Sequence, residues 1–249
     1  MLVDGGDSGE SASSRRGWIT ALIWDVMSNM GYDLITIGKR DYADTAAVWL
    51  AKRDEKTPMF LSGNIADTAG VQIDQSYRIF KHNGAKIGIV SAISENYRSY
   101  FRNNKLLPPV ETILNAQEVF RKKKVDFQIL VFLGRKKESL DLISTLEGFD
   151  LMFLGNSNGK AMEAQIFDGQ VPIVGPGDRG RELALVTLKK KKREEAALVT
   201  CDIIPLGDNV ADSPKWLPFD KIFKNKMAAD AKARQMRQQR RIEKAKAGN

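Results

Sequence analysis

The sequence predicts an α/β fold, a mixed sheet or two packed sheets flanked by helices, with a helical extension at its C-terminal end. Three observations carry this prediction. Up to residue 154, short apolar runs of strand character alternate with stretches of helical periodicity. From residue 161 onward, strand patterns follow one another without helices between them. The strands repeatedly end in glycine-rich turns, where α/β proteins carry their working loops.

The elements follow in order. Leu2 and Val3 read as a short strand running into the turn Asp4-Gly5-Gly6-Asp7-Ser8. A strand this close to the first residue has three explanations: a frayed edge, missing upstream sequence, or an edge covered by a neighbouring chain. Residues 17–30 carry Trp18, Ile19, Leu22, Ile23, Val26, Met27 and Met30 at helical spacing and stop at Gly31, a suitable C-terminal cap. Leu34 to Ile37 reads as a buried strand ended by Gly38, residues 43–53 as a second helix, and Pro58 to Ser62 as another strand. Asn83-Gly84 between Tyr77–Phe80 and Lys86–Val90 is a strong hairpin signal. After Pro108-Pro109, residues 110–123 form an amphipathic helix with Val110, Ile113, Leu114, Ala116, Val119 and Phe120 expected inward. Phe127–Leu133 is a strand, 138–146 a helix, and Leu151–Leu154 a strand opening into a polar glycine loop. Strands at 164–167, 171–174, 183–188 and 197–204 complete the body. Gly175 to Gly180 spells G-x-G-x-x-G, but a strand rather than a helix follows, so a dinucleotide site is rejected.

Composition narrows the chemistry. The 249 residues carry 39 Lys and Arg against 31 Asp and Glu, a net charge of +8. Residues 215–249 hold eleven of the basic and three of the acidic groups, so the first 214 residues are neutral. The expected organisation is therefore a domain over 1–214 and a basic helical tail or linker over 215–249. The single Cys201 excludes a disulfide framework and a thiolate zinc site, and the single His82 leaves at most one imidazole for ligation or base catalysis. No apolar run approaches the length of a membrane span, and the chain shows no signal peptide. The basic runs 121–124 and 189–193 read as solvated surface. The tail could neutralise phosphates, but it has no aromatic residue after Phe223 for stacking on bases.

Taken together the loops resemble a known family. Val3-Asp4-Gly5-Gly6-Asp7 is similar to the D-x-G-D loop of calcineurin-like metallophosphoesterases in the 5′-nucleotidase branch. Met30 to Tyr42, with Gly31-Tyr32-Asp33 and Gly38-Lys39-Arg40-Asp41, resembles that branch's mGyDavtlGNHEF segment. Leu61-Ser62-Gly63-Asn64-Ile65 resembles lsaNv, and Phe149 to Asn158 resembles iDlilgGHsH. Val171–Val174 with Gly177–Gly180 resembles the closing tpiv…G-x-x-G. The resemblance runs in order from residue 2 to about 206, without the family's first strand. It implies an α/β/β/α sandwich of metallophosphoesterase type, and a periplasmic or secreted location.

It also implies an activity that these residues serve poorly. The family hydrolyses phosphate esters with two divalent metals, Mn, Zn or Fe, that generate the attacking hydroxide. Here Asp7 matches the bridging aspartate, but Lys39 stands for the metal-binding Asn and Arg40 for the assisting His, with Asp41 beside them. A third histidine position falls near Phe132 or Leu133, and the last two are Asn156 and Asn158. A cation about 4 Å from another meets a repulsion of about 4 kcal/mol per unit charge at an effective dielectric of 20. The expectation is a degenerate site: Arg40 and Asp41 as vestigial catalytic positions, Asp7, Asn156 and Asn158 as vestigial metal positions, and no cofactor. Lys39, Arg40, Asn156 and Asn158 form a candidate anion-binding set, against the alternative of an internal salt-bridge network. Three functions stay open at this point. One is a non-catalytic binding, scaffolding or assembly subunit, with a protein partner or neighbouring subunit at the N-terminal edge or the C-terminal helix. Another is an active nucleotide phosphohydrolase completed by an N-terminal segment or a partner chain. The last is nucleic-acid binding through the tail.

Overall fold

The computed structural model describes residues 1–9, 17–43, 50–52, 59–101, 104–155, 161–165, 171–177, 180–193 and 195–247. Two compact units divide the chain, Met1–Asn209 and Val210–Asn249.

In the first unit β1 (Val3–Asp4), α1 (Gly17–Met30), β2 (Leu34–Thr36), α2 (Lys39–Ala43) and β3 (Met59–Leu61) come first. The three strands form a parallel sheet in the order β1-β2-β3. Parallel strands need crossovers, and the intervening helical segments supply them. Next come β4 (Ile65–Ala66), β5 (Tyr77–His82), β6 (Ala85–Ile93), a 3-10 turn at Glu95–Tyr100 and β7 (Lys105–Leu106), with β4 and β7 paired antiparallel. The remaining elements of this unit are α3 (Pro109–Lys122), β8 (Phe127–Leu133), α4 (Lys136–Ile143), β9 (Leu151–Leu154), β10 (Ala161–Gln165), β11 (Ile173–Pro176), β12 (Glu182–Lys189) and β13 (Leu198–Pro205). A six-stranded mixed sheet runs β10-β11-β9-β8-β6-β5, parallel through its centre and antiparallel at both ends. β12 and β13 form a separate antiparallel hairpin.

The six-stranded sheet has an apolar layer on each face. On one face Ile113, Ala116 and Phe120 of α3 and Leu142 and Ile143 of α4 pack with Val90, Leu130, Met152 and Ile173. On the other face Ile87, Ile89, Ile129, Val131 and Leu151 meet Leu34 of β2 and Leu61 of β3, together with the inward side chains of β12 and β13. Strand alternation explains the division, since neighbouring residues of one strand point to opposite faces. A third cluster joins Trp24, Ile35, Ile37, Tyr42, Phe60 and Phe101 beneath the loops that follow β1 and β2. The second unit contains a 3-10 turn (Pro214–Trp216) and α5 (Leu217–Ala247), a 31-residue helix whose apolar side chains fall on no single face.

The expected hairpin forms as read: Asn83 and Gly84 take positive φ values of 49° and 80°, the type I′ geometry that suits strand twist. Within the helix expected over about 43–53, Ala43 and residues 50–52 are helical, a helix also covers Lys39–Ala43, and 44–49 and 53–58 lie outside the described residues. Two expectations need correction. In α3, Val110 and Leu114 are exposed, because the face opposite Ile113 and Phe120 has no layer above it. The run 189–193 is not simply solvated: Lys190 pairs with the buried Asp150 at 2.7 Å, and Arg193 pairs with Asp126 at 3.0 Å, both tying the hairpin end to the start of strands β8 and β9.

Asn64 is fully buried and pegs three segments together. Its Oδ1 accepts from the Ile93 N–H at 2.7 Å, and its Nδ2 donates to the carbonyls of Ile93 at 3.1 Å and Leu107 at 2.6 Å. Asn64→Ala leaves these backbone groups without their partner, and a loss of about 2–4 kcal/mol in urea unfolding is expected.

Candidate functional site

The candidate site lies where the loop after β1 meets the turn after β2. Both segments run as loops because glycines let backbone approach backbone. Gly6 has φ 92°, and a Cβ on Gly38 would overlap the backbone and carboxylate of Asp7. Across the loop, a Cβ on Gly5 would sit 3.2 Å from the Cα of Gly155, which follows β9. Three strand ends are thereby drawn together.

Asp41 holds the two loops in place. This carboxylate is fully buried and accepts the backbone N–H groups of Asp7 at 2.7 Å, Gly9 at 2.6 Å and Gly38 at 2.8 Å, with the Ser8 hydroxyl at 3.2 Å. Trp24 Nε1 donates to Ser8 Oγ at 3.1 Å, extending the network into α1. Asp41 therefore acts on the backbone of both loops.

Asp7 sits at φ 59°, in the left-handed region that Asp tolerates better than most residues. Its two oxygens are both engaged. Lys39 Nζ donates to Oδ2 at 2.6 Å, and the Arg40 backbone N–H donates to Oδ1 at 2.9 Å. Both side chains of the ion pair are only 12% exposed. The Lys39 ammonium also stands over the Tyr97 ring, 4.2 Å from its centroid, so the cation is enclosed between a carboxylate and an aromatic face. Arg40 is exposed.

Asp4 completes a cluster of three carboxylates. Its Oδ2 accepts from Gly6 N–H at 3.0 Å, and its backbone carbonyl accepts from Thr36 Oγ1 at 2.9 Å. Burial pushes Asp4 up to about 7, helped by the charges of Asp41 and Asp7 and opposed by the Gly6 N–H. Burial likewise raises Asp41 to about 6, helped by Asp7 and opposed by the three N–H groups it accepts.

Of the positions singled out in the sequence, Asp7, Lys39, Arg40 and Asp41 come together here. Phe132 and Leu133 are buried at the end of β8, packed into two different core clusters. Asn156 and Asn158 lie outside the described residues. His82 is exposed in the β5–β6 hairpin. Among the described residues, no group of three or more His, Cys, Asp or Glu side chains is placed to hold a metal ion. Sequence reading gave no role to Asp4 or Tyr97. Asp4 carries a signal in the motif itself, an acidic residue between a strand and a glycine pair; Tyr97 comes from a distant turn and has none.

The raised carboxylates set a pH dependence. Near the ordinary value of 3.8 the unfolded chain loses these protons while the folded protein keeps them until about 6 and 7. Between those limits the folded state binds more protons, so stability falls as pH rises and levels off above about 7. Thermal melts from pH 5 to pH 8 are expected to show a falling midpoint. Asp4→Asn, which keeps an acceptor for Gly6 N–H, flattens that slope.

No family model matches the chain. A 5′-nucleotidase of Vibrio parahaemolyticus is 28% identical over 118 residues, 47% of this chain and 20% of that protein. Among solved structures, sulfate thiohydrolase SoxB of Thermus thermophilus matches with a TM-score of 0.76 at 16% identity, over 92% of this chain and 42% of that one. A 5′-nucleotidase precursor from Thermus thermophilus matches with 0.71 at 14% identity, over 91% and 50%. The calcineurin-like phosphoesterase YfkN of Bacillus subtilis matches with 0.70 at 18% identity, over 90% and 83%. The chain spans a fifth of the curated nucleotidase it matches and half of the nucleotidase precursor. With its parallel-centred sheet, flanking helices and loop cluster, the chain has the fold of the calcineurin-like metallophosphoesterases and resembles their 5′-nucleotidase branch.

Proposed function

We propose that this 5′-nucleotidase-like domain is a non-catalytic one, a binding or assembly subunit in which a lysine ammonium takes the part of a metal cation. The observation that carries this reading is the 2.6 Å contact between Lys39 Nζ and Asp7 Oδ2. A carboxylate bridges two cations through lone pairs that other donors compete for. Here one oxygen holds an ammonium and the other a backbone N–H. The described donors do not fit a dimetal centre, because Asp7 is engaged, Lys39 and Arg40 bring positive charge, and Phe132 and Leu133 offer no lone pair. No catalytic step is routed through these residues. By resemblance, the reading carries a periplasmic or secreted location; no helix among the described residues is long and apolar enough to cross a membrane.

The exposed Arg40 keeps the anion reading in view, since its guanidinium is the cluster's accessible cation. Lys39 contributes to such a site only by leaving Asp7. A phosphate titration followed by NMR tests this: a millimolar response lost in Arg40→Ala supports an anion site, and a response unchanged in that variant removes it.

Metal analysis of the purified protein, paired with a phosphatase assay on a nucleoside monophosphate, tests the main reading. The expected result is substoichiometric Mn, Zn and Fe and no turnover; a stoichiometric metal with turnover overturns the proposal. Lys39→Ala removes the ammonium that Asp7 holds beside Asp4 and Asp41, and a loss of about 2–4 kcal/mol is expected in denaturant unfolding.

A further inference from the structure

Charge in the first 214 residues is segregated. Residues 81–86, 121–126 and 189–195 together hold eleven Lys and Arg against three Asp and Glu, a net +8. The first 214 residues are neutral as a whole, so the remainder of them carries a net −8. Charges that only keep a surface solvated are mixed in sign rather than sorted.

The fold brings the three basic segments to one end of the molecule's first unit. β6, β8 and β9 are adjacent and parallel, so Lys86, Asp126 and Asp150 lie together at the starts of these strands. Lys86 Nζ donates to the Lys123 carbonyl at 3.0 Å, joining the β5–β6 hairpin to the end of α3. From the β12–β13 turn, Arg193 holds Asp126 at 3.0 Å and Lys190 holds Asp150 at 2.7 Å. Helix layer, sheet and hairpin therefore end in one basic face about 20 Å across, since stacked layers lie about 10 Å apart. Asp126 and Asp150 are occupied by these two partners, and Lys81, Lys123, Lys124, Lys189, Lys191 and Lys192 are all exposed or half-exposed around them.

The composition of the face says which anion it fits. Nine of its eleven basic residues are lysines, point charges without the guanidinium fork that grips a single phosphate. None of the three segments carries an aromatic residue to stack on bases. Leu198 pairs in register with Lys189, where the β12–β13 hairpin opens into its turn, and is 65% exposed. A leucine among lysines suits a partner that is anionic at its surface and apolar just beneath it.

We propose that this face docks the domain on an anionic lipid bilayer, with Leu198 entering between headgroups and the Asp7–Lys39 loop cluster held away from the membrane. That cluster lies at the other end of the strands: Gly155, packed against Gly5, follows β9, whereas Asp150 precedes it. The same bilayer repels the net −8 of the remaining residues, which fixes the orientation. The inference is independent of whether the loop cluster holds a metal.

Co-sedimentation of the full chain with vesicles tests it, comparing phosphatidylcholine alone with a mixture containing about 30 mol% phosphatidylglycerol. Binding to the anionic vesicles only is expected. A lysine near such a surface contributes about fivefold in affinity, so joint replacement by Lys123→Gln, Lys124→Gln, Lys191→Gln and Lys192→Gln is expected to weaken binding about a hundredfold or more. Leu198→Ser alone is expected to weaken it about fivefold. Unchanged thermal midpoints show that these exposed substitutions leave the fold intact. A comparison variant removes the same charge from α5 by Lys232→Gln, Arg234→Gln, Arg237→Gln and Arg240→Gln, and is expected to keep most of the affinity. No binding to anionic vesicles, or an equal loss in the α5 variant, overturns the proposal, the second outcome making net charge rather than this face responsible. A gel shift of a DNA duplex of about 20 base pairs that the four lysine substitutions abolish also overturns it, making the face a nucleic-acid surface.

Discussion

The arrangement of the loop cluster depends on one buried carboxylate. Asp41 gathers three backbone N–H groups from the turns after β1 and β2, and Asp7 ties the same two turns a second time through Lys39 and the Arg40 N–H. Burying a carboxylate is costly, and its raised proton affinity shows that the backbone donors only partly offset the burial. What the bonds secure is position. With Gly38 drawn against Asp7, the chain has no room for a side chain there, and α2 starts one residue later with Lys39 and Arg40 beside the Asp7 carboxylate.

Once Asp7 is fixed, its surroundings decide its chemistry. The charge of Asp7 adds to the burial that raises Asp4 and Asp41, and that of Asp41 adds to Asp4, so positive charge nearby relieves the cluster. A metal ion is one source and an ammonium is another. Lys39 supplies it from the adjacent turn, and Tyr97 faces the same ammonium from the 3-10 turn after β6. An ammonium is a single charge with three donors and no vacant coordination position, so it balances the cluster without providing a Lewis acid. On the proposed reading, the network that stabilises this corner of the fold and a network that would run hydrolysis make opposite demands on Asp7.

The sequence made the strands legible because apolar runs and turn residues are local signals. Asn83-Gly84 announced its hairpin, and Phe127–Leu133 and Leu151–Leu154 announced buried parallel strands. It was less informative where a neighbour decides the outcome. Val110 and Leu114 look like core residues of an amphipathic helix, but only the Ile113–Phe120 face finds a sheet. Lys190 looks solvated in a basic run until Asp150, forty residues earlier, is brought beneath it. The charge substitutions at Lys39 and Arg40 were readable from the glycine-bounded motif, whereas their actual partners were not. Lys39 meets Asp7 and Tyr97, and Asp41 takes backbone groups, because loop closure rather than sequence distance sets those contacts.

The layer covering the six-stranded sheet follows from the same reasoning. A sheet with two apolar faces needs cover on both, and α3 and α4 provide it on one side by helix packing. On the other side the cover comes in two separate pieces, β1-β2-β3 and β12-β13. Where β2 and β3 lie, Leu34 and Leu61 are fully buried; at the facing margins, Val3, Phe153 and Val186 are not. Burial within this one layer thus falls off toward the interval between the two pieces.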